Sequence, residues 1–176
     1  MSRGIWRDIR SSTSGREGAL ETQARLIVDV ARLDKGGETY RGELAPEALD
    51  LGWSDYITPL GGIHYDLRIQ DLGSELLVQG RVWLPVQYIC ARCAQPFETV
   101  AEDNEFVRSI EINQQTDFVD LTEEAREAMI LAFPGYPVCR ETCQGLCPMC
   151  GKNLNEGPCG CREEPDDCWA GLTAPE

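Results

Sequence analysis

The chain carries, at positions 76–93, the sequence LLVQGRVWLPVQYICARC. Apolar or small residues occupy every second position from Leu76 to Tyr88, which is the period of a strand with one buried face. We predict that this strand ends at Cys90 and that the turn through Cys93 leads into another strand from Phe97 onward. Pro85 lacks a backbone N–H, so we expect the strand to lie at a sheet edge or to bend there.

The cysteines of that turn belong to a larger pattern, because eight of the nine cysteines fall into four close pairs. Short spacings let both sulfurs of a pair reach one zinc ion at about 2.3 Å, and two pairs complete a tetrahedron. Gly151, just after Cys150, allows a turn with positive φ that directs backbone amides at the thiolates. The expected metal ligands are Cys90, Cys93, Cys139, Cys143, Cys147, Cys150, Cys159 and Cys161.

The assignment of these eight thiols to two structural Zn²⁺ sites follows from contiguity in the sequence. Residues 147–161 contain four cysteines around an eight-residue loop, which leaves Cys139 and Cys143 to complete a site with Cys90 and Cys93. An interleaved arrangement, with the 90/93 pair joined to the 147/150 pair, stays open. Cys168 lies outside the paired pattern, and we interpret it as a spare thiol that would replace a ligand only in another pairing.

Two other chemistries compete with zinc for these cysteines. A redox-active pair at 90/93 needs no companion cluster and would accompany a βαβ pattern, which the sequence does not show. Iron–sulfur binding is the other alternative, but the spacings differ from those of ferredoxins. Because we expect a cytoplasmic and therefore reducing location, disulfides are the less favoured interpretation.

The rest of the chain predicts an α+β fold, with a mostly antiparallel β-sheet, one main helix and a C-terminal cysteine-rich zinc module. Alternating apolar residues predict strands near 26–30 and 63–70, and the segments 36–44 and 45–51 are ambiguous connectors. A helix is predicted at about 120–133, capped at Asp120, with Leu121, Ala125 and Met129 facing the core. The expected domains are a flexible arm at 1–21, a β-rich core at 22–138, a zinc-binding module at 139–162 and an acidic tail at 163–176.

Charge narrows the range of partners. The formal net charge is −14, although arginines give the first 32 residues a basic excess. A polyanion would be repelled by most of the surface, so a basic protein is the easier electrostatic match and direct RNA contact stays open. No apolar run is long enough to span a membrane, and no secretory signal is evident, so we expect a cytoplasmic protein without a membrane partner.

The sequence offers no catalytic constellation. Four thiolates fill the coordination shell of each expected zinc ion, so no position is left for a reactive water. The only histidine, His64, stands on the polar face of a predicted strand and lacks the neighbouring glutamate that zinc deaminases use. Phosphate-binding and nucleophile-elbow motifs are missing as well. We therefore predict that the protein is not an enzyme.

Three segments carry a family resemblance: the strand that ends in CARC at 90–93, the capped helix that runs into LAFP at 131–134, and CQGLCPMCG at 143–151, followed closely by Asn153-Leu-Asn155. Together they resemble the YceD family of bacterial and plastid proteins over roughly residues 22–161. Some members carry histidines where this chain has Cys139 and Cys143 and lack the later cysteines. The resemblance thus implies that these two residues share a site with Cys90 and Cys93.

The same resemblance implies a role in accumulation, processing or stability of large-subunit (23S) ribosomal RNA during ribosome biogenesis. The expected partner is a large-subunit precursor or a basic ribosomal protein, with ribosomal protein L32 as a candidate. A zinc-ribbon adaptor in transcription or another nucleic-acid assembly is the first alternative. A thiol-redox or metal-sensing switch is the second.

Overall fold

The computed structural model describes residues 22–34, 36–49 and 56–161. Its strands are β1 (Thr22–Gln23), β2 (Ile27–Asp29), β3 (Glu38–Leu44), β4 (Ile57–Pro59), β5 (Ile63–Asp71), β6 (Glu75–Ile89), β7 (Pro96–Glu111) and β8 (Phe118–Asp120). Helix α1 spans Thr122–Ala132, and short 3-10 helices cover Val30–Arg32, Pro46–Leu49 and Leu154–Glu156. The expected arm and acidic tail lie outside the described residues, and the four domain boundaries stay predictions.

Strand β6 is the centre of the main sheet. On one side it pairs with β7 along nearly its whole length, and on the other it pairs first with β5 and then with β4. The sheet continues from β5 through β3 to β1, and all of these pairings are antiparallel except β1 with β3. A small second sheet joins β2 to β8. The prediction of a mostly antiparallel sheet with one main helix is confirmed.

The alternating residues of β6 form the middle of the hydrophobic core. Leu76, Val78, Val82, Leu84, Val86 and Tyr88 are each at most 2% exposed. Helix α1 covers this face of the sheet with buried Leu121 just before its first turn and with buried Ala125, Ala128 and Met129. Burial of such side chains contributes about 1.5–3 kcal/mol for each large aliphatic residue, so this face supplies much of the driving force for folding.

The start of helix α1 is held by contacts on both sides. Asp120 accepts a hydrogen bond from the N–H of Thr122 at 3.0 Å and forms an ion pair with Arg25. The hydroxyl of Thr122 accepts in turn from the N–H of Leu26 at 2.8 Å. The residue at the N-cap position is Leu121, one position after the aspartate that the capping pattern indicated. The start of the helix is therefore held against residues 25 and 26, just before β2.

Two details of the strands differ from the sequence prediction. The ambiguous segment 36–44 contains β3, whereas the strand expected from Phe97 onward is β7, which runs to Glu111 with one irregularity opposite Gly80. Pro85 does not lie in an edge strand, because β6 has neighbours on both sides. The proline stands between the last residue paired with β5, Trp83, and the first paired with β4, Val86, so its missing N–H interrupts no strand pairing.

Gly80 lies where β6 changes register against β7, and we predict that Gly80→Ala destabilises the sheet. Its φ is +152°, and an added Cβ would lie 2.1 Å from the carbonyl oxygen of Asp66 in the neighbouring strand. Backbone strain and overpacking together should lower the free energy of unfolding by about 2–4 kcal/mol. Chemical denaturation monitored by circular dichroism measures the change.

Gly36→Ala is the matched control, since a Cβ at Gly36 meets no atom within 4 Å. It should shift the free energy of unfolding by less than about 0.5 kcal/mol. Equal stability of the two variants would show that the close approach of β5 to Gly80 is not a packing constraint.

Candidate metal centres

The first group of thiols begins at the end of β6. Beyond Ile89 the chain makes a tight turn in which the N–H of Cys90 donates to Gln95 and the N–H of Ala94 donates to the carbonyl of Cys90. Ala94 takes a φ of +55°, which closes the turn before β7 begins. The long strand pair thus presents Cys90 and Cys93 at its tip, as the alternation of β6 predicted.

The segment after helix α1 brings two further cysteines to this tip. Pro137 accepts a backbone hydrogen bond from Ala91 at 2.8 Å, and the N–H of Cys139 donates to the sulfur of Cys90 at 3.4 Å. The Sγ atoms of Cys90 and Cys143 are 3.9 Å apart, as are those of Cys93 and Cys139. These four residues, here called the sheet-end cluster, have all four Sγ atoms within 4.8 Å of one another, and only Cys139 is not fully buried.

The second group, here called the C-terminal cluster, consists of Cys147, Cys150, Cys159 and Cys161, whose Sγ atoms also lie within 4.8 Å of one another. Gly151, at φ +72°, turns the chain after the first pair. The N–H of Gly151 then donates to the carbonyl of Cys147, and the N–H of Cys147 donates to Lys152, both at 2.8 Å. This cluster is more exposed than the first, since Cys150 and Cys161 face solvent.

The eight cysteines therefore form two groups whose membership follows the contiguous assignment rather than the interleaved one. A tetrahedral ion with ligands at about 2.3 Å separates its sulfurs by about 3.8 Å, which agrees with the 3.9 Å found in the sheet-end cluster. A disulfide would place two sulfurs at about 2.05 Å. The thiols of both groups are free, and each group of four could hold a metal ion.

The same distances bear on the choice between one ion and an iron–sulfur cluster. The four thiolates of an iron–sulfur cluster are divided among several irons, so thiolates bound to different irons must lie farther apart than the ligands of a single ion. All four sulfurs of each group lie within 4.8 Å of one another, which leaves space for one ion at their centre. Four sulfur ligands in a tetrahedral arrangement suit zinc, which imposes no other geometry.

Backbone N–H groups prepare one thiol of each cluster for metal binding. Burial raises the pKa of Cys90, but the amides of Cys139, Cys93 and Arg92 outweigh it and lower the pKa to about 6. The amide of Cys150, followed by the thiol of Cys159, lowers the pKa of Cys147 to about 6. Since the thiolate is the metal-binding form, these amides favour binding at neutral pH.

Asn155 links the two clusters, although the sequence pattern indicated no role for it beyond its place in the family motif. Its side-chain NH₂ donates to Cys143 Sγ at 3.4 Å, and its Oδ1 accepts from Arg140 at 2.7 Å and from the N–H of Gln144 at 3.0 Å. Asn153 supports this orientation by accepting from the Asn155 side chain at 2.8 Å. A hydrogen bond to a ligating sulfur both orients it and stabilises its charge.

Arg92 is a second residue whose role the sequence did not reveal. Its guanidinium donates to the carbonyls of Glu141 and Cys143, at 3.0 and 3.3 Å, and its own carbonyl accepts from Leu146 at 3.1 Å. The residue between the first two cysteines thus holds the loop that carries the others. The one feature of the sequence that could have indicated this role is the position of Arg92 between the two cysteines of a Cys-x-x-Cys turn.

The remaining candidate residues form no further centre. His64 stacks on Trp83 with ring centroids 5.4 Å apart, and its Nδ1 is 4.0 Å from a carboxylate oxygen of Glu43. Arg81 covers Trp83 as well, at 4.4 Å from the ring centroid. Cys168 lies outside the described residues. Within the described ranges, no helix is both long and apolar enough to cross a membrane.

The chain is similar to several known proteins. Uncharacterized proteins of Mycobacterium tuberculosis and Mycobacterium bovis are 32% identical over 121 residues, which cover 61% of this chain and 58% of each relative. An uncharacterized protein of Mycobacterium leprae is 27% identical over 187 residues, covering 93% of this chain and 85% of the relative. No solved structure matches the chain.

A family model gives a more specific match. The model described as large ribosomal RNA subunit accumulation protein YceD matches residues 98–174. That range contains most of β7, all of helix α1, the C-terminal cluster and two members of the sheet-end cluster. The predicted resemblance to the YceD family is confirmed by this match, which begins at residue 98 rather than near residue 22.

Proposed function

We propose that this chain is a zinc-stabilised, non-enzymatic factor for the accumulation, processing or stability of 23S ribosomal RNA, acting in the cytoplasm during ribosome biogenesis. The match of residues 98–174 to a family described by large ribosomal RNA subunit accumulation carries the proposal. The two four-thiol clusters support its zinc component, because their spacing suits one tetrahedral ion each.

The proposed zinc ions are structural. Four sulfur ligands leave no open coordination position, so the ions would contribute to folding and not to a reaction. Each ion would neutralise thiolates that are otherwise held within 4.8 Å of one another. Like charges at that spacing repel strongly in a buried place, so the sheet-end cluster in particular needs a cation to keep its shape as thiolates.

The proposed partner is a basic ribosomal protein or a large-subunit precursor particle that contains one. The net charge of −14 favours basic partners and opposes contact with bare RNA over most of the surface. An assembly factor of this kind would act by binding, so its depletion should alter the RNA without any enzymatic step of its own. L32 stays a candidate partner on the strength of the family resemblance alone.

We predict different consequences for losing each cluster. Cys93→Ser should remove one ion and lower the free energy of unfolding by a large part of the roughly 5–15 kcal/mol typical of a domain, because Cys93 is buried and its cluster joins β6 to the segment after α1. Cys161→Ser should also remove one ion but leave the unfolding of the sheet almost unchanged, since all four ligands lie within residues 147–161. Native mass spectrometry and denaturant titration measure both effects.

Cys168→Ser is the matched control for these variants, since this cysteine is the one outside the two clusters. It should keep both ions and the full stability of the unsubstituted chain. If Cys93→Ser retains both ions, the ligand assignment is wrong. If Cys161→Ser destabilises the sheet as much as Cys93→Ser does, the C-terminal cluster also contributes to the stability of the sheet, contrary to the prediction.

We predict that depletion of the protein selectively lowers mature large-subunit RNA. Gradient fractionation with RNA quantification would give the ratio of large-subunit to small-subunit RNA, and the unsubstituted chain should restore that ratio. The Cys93→Ser variant should restore it poorly, because its fold is weakened. An unchanged ratio after depletion would contradict the proposed function.

A further inference from the structure

The outer side of β7 has no partner strand within the described part of the chain, where β7 pairs with β6 alone. Edge strands expose backbone N–H and C=O groups that can pair with another chain. At 16 residues, β7 is the longest strand of the sheet, so its edge is a large potential binding surface. Its two halves differ, however, in what covers those groups.

The direction of each backbone group follows from the pairing of β6. The N–H of Ile89 donates to the carbonyl of Tyr56, and the carbonyl of Pro85 accepts from the N–H of Leu60. The odd-numbered residues in this part of β6 therefore direct their backbone groups toward β4. The even-numbered residues of this part of β6 direct their backbone groups toward β7, where they pair with Phe97, Thr99 and Ala101. Because adjacent residues of a strand point their groups to opposite sides, the outward backbone groups in this half belong to Glu98, Val100 and Glu102.

In the other half of β7, local side chains occupy two of the outward backbone groups. Asp103 accepts from the N–H of Glu105 at 3.0 Å, and Arg108 donates to the carbonyl of Val107 at 2.9 Å. The register irregularity opposite Gly80 separates this half from residues 98–102. Within the described residues, no comparable hydrogen bond reaches the outward groups of Glu98, Val100 or Glu102. Residues 98–102 are therefore a continuous part of the edge, here called the open part, in which no outward backbone group has such a hydrogen bond.

An apolar groove of about 390 Å³ runs beside this open part. Strand β7 forms one wall, and the segment that follows helix α1, including Pro134, Tyr136 and Val138, forms the other. Tyr136 is 82% exposed and Val100 is 44% exposed, although both are large apolar side chains. Tyr88 also lines the groove, and its buried hydroxyl has no hydrogen-bond partner. Exposed apolar surface beside open backbone groups is typical of a peptide-binding edge.

The charges around the groove indicate the kind of segment that would bind. Among the described residues, Glu102 is the one charged residue that lines it, and Glu98 stands exposed four positions away on the same face of β7. A strand added beside β7 would direct alternate side chains to the two faces of the sheet. The side chains on one face would contact the glutamates, and those on the other face would enter the groove. A segment in which basic and apolar residues alternate would therefore fit both faces.

We propose that residues 98–102 of β7 bind an extended segment of a basic protein as an added strand, with an apolar side chain in the groove and lysine or arginine side chains beside Glu98 and Glu102. This inference rests on the proposed function for the identity of the partner, a large-subunit ribosomal protein. The surface itself is defined by the open backbone groups, the groove and the two glutamates.

A photo-cross-linking experiment tests the surface directly. Benzoylphenylalanine is placed at Val100 or, as the matched control, at Val107, which is similarly exposed on the same strand but does not line the groove and has its outward carbonyl occupied by Arg108. The probe is the total protein extracted from purified large ribosomal subunits. We expect position 100 to cross-link to a segment of alternating basic and apolar residues and position 107 to give no such product.

The glutamates and the edge are then tested separately. Glu98→Gln with Glu102→Gln should lower the cross-link yield from position 100 about threefold to tenfold at low salt, as expected for exposed charge pairs. Val100→Pro removes an outward N–H that no described strand uses, a substitution that edge strands tolerate. It should abolish binding of the cross-linked segment, supplied as a synthetic peptide, whereas Val107→Pro should bind it as the unsubstituted chain does.

Hydrogen exchange on the unsubstituted chain keeps the inference testable even if Val100→Pro fails to fold. The amides of residues 98, 100 and 102 should exchange at least about tenfold more slowly when the peptide is bound, because they would then be hydrogen-bonded. Unchanged exchange, equal cross-linking from positions 100 and 107, or capture of residues 1–20 of this chain or of a second copy would overturn the inference.

The outcome is distinguishable from that of the proposed function. If depletion leaves the RNA ratio unchanged while the edge still binds the peptide, the docking surface stands and the ribosomal role fails. If depletion lowers the ratio but the edge binds nothing, only the docking surface is wrong.

Discussion

The close approach of Cys90 and Cys93 to Cys139 and Cys143 is the constraint on which the rest of the molecule depends. It joins the tip of the β6–β7 pair to the chain that follows helix α1, across 49 positions of sequence between Cys90 and Cys139. Closing so long a loop costs conformational entropy, which a metal bound to both ends would offset. Helix α1 packs on one face of the sheet, and the sheet-end cluster determines the path of the chain after the helix ends.

The same constraint creates the features through which the protein would act. By holding residues 134–138 beside β7, the sheet-end cluster forms the second wall of the apolar groove. Arg92 and Asn155 then attach the loop that carries the C-terminal cluster. The open edge at 98–102 is flanked by glutamates, which oppose pairing between copies of this acidic chain and admit a basic one. Under the proposed function, stability and partner choice would therefore be linked at one end of the sheet.

Local patterns in the sequence were sufficient for much of this architecture. The alternation from Leu76 to Tyr88 identified β6 and the position of Cys90, because a buried strand face has a period of two regardless of its neighbours. Contiguity identified the grouping of the thiols. Helix α1 was recognisable from its apolar spacing, although its cap lies one residue later than the pattern indicated.

What the sequence could not provide depends on contacts between distant segments. Pro85 is tolerated because β5 and β4 succeed each other beside it, a fact that belongs to the sheet and not to β6. Strand β3 pairs with β5, but its own residues include few that favour strands. Asn155 acquires its role only when the loop folds back on Cys143. The groove likewise joins residues that lie more than 30 positions apart.

The most direct test of the account is X-ray absorption at the zinc edge of the purified protein, combined with metal analysis. We expect two zinc ions per chain, each with four sulfur neighbours at about 2.3 Å and no neighbouring metal. Metal–metal scattering, nitrogen or oxygen atoms among the nearest neighbours, or fewer than two ions would contradict the claim that each group of four thiols holds one ion.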